Sequence, residues 1–159
     1  MMKKILALIL GAILFVACDF TKESVALKPD IEVTFVTPVA APVDGGGEAA
    51  IEEIHFVAKN SVDCTVDRMI WEYYSIDGTR FLGPFQIPIY MKVKGIVEPT
   101  EVDTSILENV PLPVDTVLSY LLSTNTYEAE AKLYFVAYDD YGMGRADTAE
   151  FWFGLYRNP

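Results

Sequence analysis

Five aromatic side chains fall where a sheet surface could use them. In "TYEAEAKLYFVAYDD", residues 126–140, the small and apolar Ala129, Ala131, Leu133, Phe135 and Ala137 alternate with Glu128, Glu130, Lys132, Tyr134, Val136 and Tyr138. In "TAEFWFGLYR", residues 148–157, Ala149, Phe151, Phe153 and Leu155 alternate with Glu150, Trp152, Gly154 and Tyr156. A period of two sends successive side chains to opposite faces of a strand. If the two strands are neighbours, Tyr134, Tyr138, Trp152 and Tyr156 share the face away from the core. Tyr74 joins them if Trp71 points inward from its own strand. Large rings with a polar tip are enriched at interface hot spots and also stack on sugars. Two other uses are open: aromatics pair across strands for stability alone, or the segment 96–125 covers this face.

Other chemistry has less to build on. Asp139, Asp140 and Asp147 offer oxygen ligands to calcium, which takes six or more, but their spacing matches no calcium-loop motif, and acidic pairs also serve simply as turn formers. No metal site is assigned. One histidine, His55, and one cysteine of the domain, Cys64, supply neither a zinc set nor an independent nucleophile and base. The chain has no G-x-S-x-G, no H-E-x-x-H and no phosphate-cradling loop. The run "GGG" at 45–47 precedes Glu48 and a strand and reads as flexibility. Glu52 and Glu53, neighbours on a strand, are expected on opposite faces, where they cannot share a substrate. The chain therefore reads as a non-enzyme without a cofactor. A hydrolase built on carboxylates that meet across loops is the third alternative, and its signature would be a cleft with perturbed pKa values.

The N-terminus carries the most specific signal. Lys3 and Lys4 flank an unbroken apolar and small run, Ile5 to Ala17. As a helix it would be about 20 Å long, short of the ~30 Å hydrocarbon core, so it reads as a signal-peptide core. Phe15 fits ordinary secretory cleavage poorly. The stretch Leu14-Phe15-Val16-Ala17-Cys18 resembles the lipobox of bacterial lipoproteins, with Phe15 supplying the bulky apolar side chain where the family most often has leucine. The resemblance implies that Cys18 takes a diacylglycerol thioether and becomes the first residue of the mature chain, anchoring it in a bacterial membrane. Two or three acyl chains hold where one is marginal, each buried CH₂ contributing ~0.8 kcal/mol. Asp19 resembles the inner-membrane retention signal of enteric lipoproteins; which membrane holds the protein is left open.

Charge narrows the partners. Removing Lys3 and Lys4 takes the formal charge from −11 to −13, with 10 basic residues against 23 acidic ones. Such a surface repels phosphate backbones, so nucleic acid is excluded as a partner. With Cys18 lipidated, Cys64 cannot form an internal disulfide, and Val62 and Val66 beside it favour burial.

These residues need elements to position them. Residues 1–17 are read as signal peptide, 18–29 as a tether without period, and 30–159 as one domain, a size that buries about 68% of its unfolded surface. Ile31, Val33 and Phe35 alternate with Glu32 and Thr34 as a half-buried strand, and the Pro- and Gly-rich 37–48 is an edge crossing or long loop. Further strands are expected over 50–59, with Ile54, Phe56 and Ala58 inward, and over 66–75. A turn at Asp77-Gly78 folds "TRFLG" back on the latter. The next strand, "FQIPIYMKVKG", contains Pro88, which demands an edge or a bulge. Val114, Val117, Leu118, Leu121 and Leu122 have helical spacing, predicting a short helix over about 114–124 that crosses between sheets. The pattern resembles an immunoglobulin-like antiparallel β-sandwich. The reading that follows is a lipid-anchored envelope protein that binds or assembles with another envelope protein. The alternative is a carbohydrate-binding module; no small-molecule ligand is identified.

Overall fold

The fold is described from a computed structural model over residues 27–98 and 102–159. The signal segment, Cys18 and the first part of the tether lie outside those residues. Among the described residues eight strands and one helix follow in order: β1 (Ile31–Thr37), β2 (Ala40–Pro42), β3 (Glu48–Ala58), β4 (Cys64–Ser75), β5 (Arg80–Val93), β6 (Thr104–Pro113), α1 (Asp115–Thr124), β7 (Glu128–Asp139) and β8 (Ala146–Tyr156). They form two sheets, β1-β3-β6 and β2-β8-β7-β4-β5. The chain is an all-β sandwich, antiparallel except where the short β2 runs parallel to β8 at the sheet edge. The Pro- and Gly-rich stretch after β1 is thus an edge crossing that carries the chain from one sheet to the other.

The core is the layer between the sheets. Ile51, Ile54, Phe56 and Leu112 of the smaller sheet and Met69, Tyr73, Leu133, Phe135 and Phe153 of the larger one are fully buried. Phe56 meets Phe135 edge-on with ring centroids 4.8 Å apart. The alternation in β7 is strict, with Ala129, Ala131, Leu133, Phe135 and Ala137 all inward. Those alanines leave room for the large rings opposite.

Several expectations are corrected. In β1 the register shifts between Val33 and Phe35, a bulge that turns Phe35 outward, 49% exposed, and Val36 inward. Glu52 and Glu53 do not lie on opposite faces: Ile51 and Ile54, three residues apart, are both fully buried and neither glutamate is, and the pairing of β3 with β6 skips Glu52 where β6 has Asn109 at φ +55°. The segment 96–125 contains a strand as well as a helix. β6 bears Pro111 and Pro113, tolerable because it pairs only with β3 and its other edge is free. "TRFLG" and "FQIPIYMKVKG" are one strand, β5, with Pro88 on the free edge of the larger sheet.

α1 does cross between sheets. Val114, Val117 and Leu121 enter the core, whereas Leu122 is 58% exposed, so the apolar stripe is narrower than the spacing predicts. The glycine run is docked rather than loose. Gly47 N–H donates to Asp115 Oδ1 at 2.6 Å, and Val114 N–H donates to the Gly47 carbonyl at 2.8 Å, closing the start of the helix. The Asp77-Gly78 turn is as expected, with Gly78 at φ +83° and Asp77 accepting from Thr79 N–H at 3.0 Å. Among the described residues no helix is long and apolar enough to cross a membrane.

Candidate functional site

β7 lies between β4 and β8, and register decides which outward side chains meet. One row across the outer face is Glu72, Lys132 and Trp152; the next is Tyr74, Glu130 and Gly154; on the other side lie Ile70, Tyr134 and Glu150. Trp71 is buried, so Tyr74 points outward as the alternation requires. Trp152 meets Tyr74 edge-on at 5.2 Å between centroids. Lys132 Nζ sits 4.7 Å from the Tyr134 ring centroid and 5.3 Å from that of Trp152, and pairs with Glu150 at 2.7 Å. The Glu150 carboxylate raises the pKa of this ammonium, so the cation that braces the rings stays charged.

Glu72 holds the other side of the cluster. It accepts from the Tyr74 hydroxyl at 2.6 Å and the Tyr134 hydroxyl at 3.2 Å, and pairs with Arg80. The Tyr74 bond is the main cause that lowers its pKa, working with Arg80 against burial. The same bond raises the Tyr74 phenol, because ionising it would set two anions side by side. Three rings are therefore fixed by two carboxylates and two cations rather than left as loose surface groups.

Tyr138 and Tyr156 share the face but not the cluster. Tyr138 lies toward the far end of β7, where Arg68 Nη2 donates to its hydroxyl at 2.9 Å. Tyr156 lies at the opposite end, paired with Glu128 and 38% exposed. Trp152, 45% exposed, is the most open of the five rings. The described residues of the segment 96–125 do not cover them: β6 belongs to the other sheet, and Tyr120 of α1 lies flat on Phe81 of β5 at 3.8 Å. Glu72, Arg80, Lys132 and Glu150 were not singled out from the sequence. Alternation assigns Lys132 and Glu150 to the face, but only register shows that they join it into one network.

The carboxylates near the β7–β8 hairpin are each committed. Asp139 accepts from the Met143 and Arg145 N–H groups at 3.0 and 3.1 Å. Asp140 accepts from Thr65 Oγ1 at 2.6 Å and pairs with Lys92 at 2.8 Å; burial opposes its charge, yet these partners hold its pKa below the ordinary value. Asp147 accepts from Ile31 N–H at 3.0 Å and pairs with Lys28. Among the described residues no group of three His, Cys, Asp or Glu side chains is placed to hold a metal ion. Cys64 is buried, and burial, followed by the charges of Asp140, Asp147 and Asp63, pushes its thiol up to about 11. His55 is on the other sheet, 2.9 Å from Glu53. The two make no nucleophile and base pair.

The tether meets the domain at this same hairpin end. Arg145 Nη1 donates to the Leu27 carbonyl at 2.7 Å, and Asn60 Nδ2 donates to the Lys28 carbonyl at 2.8 Å.

No family model and no curated protein matches the chain. Among solved structures it is similar to the solution structure of AT1g01470 from Arabidopsis thaliana, at 12% identity and a TM-score of 0.36, covering 80% of this chain and 78% of that one. A likeness at that level carries no argument about function.

Proposed function

We propose that the protein is a lipid-anchored bacterial envelope protein whose sandwich serves as a binding or assembly module for another envelope protein. The observation that carries the binding half is Trp152, exposed among the described residues, set against Tyr74 and braced by Lys132 on the outer sheet face. A rigid, partly dehydrated aromatic cluster loses little entropy on docking, and such rings anchor most interfaces. The anchoring half rests on the lipobox resemblance around Cys18.

In-cell crosslinking and affinity purification of the full-length chain, beside Trp152→Ser, test the first half. One protein recovered by the parent and lost by a folded variant supports the module; equal recovery from both rejects this face. Cys18→Ser tests the second half, since unchanged processing and membrane partition would reject lipidation.

The carbohydrate-binding reading is favoured by one feature, an open indole ring with the Glu150 carboxylate nearby in the next row of the sheet. It needs no calcium in the 139–147 loop, whose carboxylates already have partners. Binding of the full-length protein to a glycan panel, lost in Trp152→Ser, would support it over the protein partner.

A further inference from the structure

A cavity of about 240 Å³ indents the larger sheet where β2, β7 and β8 meet the β4–β5 turn, lined by Ala40, Ile76, Glu128, Glu130, Gly154 and Tyr156. Its floor is made of small residues. Gly154 stands between Trp152 and Tyr156 on the outer face of β8, and Ala40 packs directly against it, so that a Cβ added to Gly154 would come within 2.9 Å of the Ala40 Cβ. The two line the notch beside Tyr156 without a long side chain to fill it.

The gap is acidic and its acids are uncommitted. Glu128 and Glu130 project from the same face of β7, and among the described residues neither takes part in an ion pair. Lys132, next along that face, is taken by Glu150. Arg157 is held over the Tyr127 ring at 4.2 Å and donates to the Thr126 carbonyl at 2.7 Å.

We propose that this notch receives the side chain of an arginine presented by the partner protein, an inference that rests on reading the outer face as the binding surface. A guanidinium is planar, stacks on an aromatic ring and forks to carboxylate oxygens, while its methylene stem can lie against Ile76 and Ala40. The volume supports one side chain rather than a whole ligand, since small-molecule pockets run from about 300 to 1,000 Å³. An acidic domain also draws a basic segment toward itself before contact. The position suits a partner approaching from away from the membrane. From Glu130 to Asp139, at the hairpin where the tether enters, β7 extends about 30 Å at ~3.3 Å per residue.

The test is fluorescence anisotropy of a labelled Gly-Arg-Gly-Arg-Gly peptide against the full-length protein in detergent micelles, beside the same peptide with citrulline for arginine. Citrulline keeps the shape and removes the charge. The arginine peptide should bind at least about tenfold more tightly, and Glu128→Gln with Glu130→Gln should erase that difference, as loss of charge-assisted hydrogen bonds does. Glu32→Gln, on the smaller sheet beside Lys59, removes one acid elsewhere and should leave binding unchanged. Equal binding of both peptides, no binding up to millimolar concentration, or an equal loss in Glu32→Gln would overturn the notch. Crosslinking separates this from the wider reading. A partner still captured through the Trp152 face by the double glutamine variant leaves the module standing and removes the notch. A notch that binds the arginine peptide in a chain that captures no partner removes the protein module instead.

Discussion

The Tyr73 hydroxyl donates to the Pro113 carbonyl at 2.6 Å while accepting from Trp71 Nε1 at 3.1 Å. It ties β4 of the larger sheet to the end of β6 in the smaller one, at the point where the chain turns into α1. Burial pushes the phenol up to about 12, so the donor is intact throughout the neutral range. Tyr73→Phe keeps the ring and leaves the indole N–H and the carbonyl without their partner. The expected cost is about 2 kcal/mol in chemical denaturation, the penalty of orphaned buried polar groups. A cost below about 0.5 kcal/mol would show that water replaces the hydroxyl.

Glu72 should give the acid limb of the stability curve a recognisable share. Its pKa is lowered from 4.5 in the folded chain, mainly by the Tyr74 hydroxyl. The folded state therefore holds this proton less tightly than the unfolded state does, and its contribution is present above 4.5 and lost as pH falls through the lower folded value. The stability gap between the parent and Glu72→Gln should be constant from pH 7 to about 5.5 and shrink below about 4.5. A gap independent of pH down to 3 would contradict the assignment.

Adjacent positions on β8 should behave oppositely. Trp152 is exposed and contributes chiefly its contacts with Tyr74 and Lys132, so Trp152→Ser should cost about 1 kcal/mol and leave the fold intact. Phe153 is fully buried, and Phe153→Ala should cost about 3–5 kcal/mol. Thermal denaturation of both variants checks this. A Trp152→Ser chain as unstable as Phe153→Ala would mean that the aromatic face serves the core rather than a partner.

Counting thiols tests the anchor without a membrane assay. Of the two cysteines, Cys64 is buried with its thiol held high, so Cys64 should react with a thiol reagent only as the protein unfolds. In denaturant, a chain lipidated at Cys18 should show one reactive thiol, and a chain with both cysteines free should show two. Two thiols in membrane-extracted protein would reject the thioether.

Parts of this fold are legible in the sequence. The period of two in β7 and β8 identifies the inward apolar residues, because both strands lie inside the larger sheet with one face against the core, whereas the buried Asp139 at the end of β7 reads as part of the hairpin loop. β6 was missed because it is an edge strand, and its Pro111, Pro113 and left-handed Asn109 are breakers to any local reading. Phe35 was misplaced because a bulge adds one residue to β1 without a mark in the sequence.

The candidate site divides in the same way. Alternation alone puts Tyr134 and Tyr138 on one face of their strand and Trp152 and Tyr156 on one face of theirs, since side-chain direction along a strand is a local property. That these faces coincide, and that Tyr74 joins them, follows from the pairing of β4, β7 and β8 and the burial of Trp71. Which of them meet is not local. It depends on the register of β4, β7 and β8, set by turns and by burial of the opposite face. Register gathers Tyr74, Tyr134 and Trp152 around Glu72 and Lys132, and sends Tyr138 and Tyr156 to the ends. It also sets Ala40 against Gly154 beside Glu128 and Glu130, which take part in no ion pair among the described residues. Composition determined that this surface is acidic and aromatic; only strand pairing decided where the rings and charges coincide.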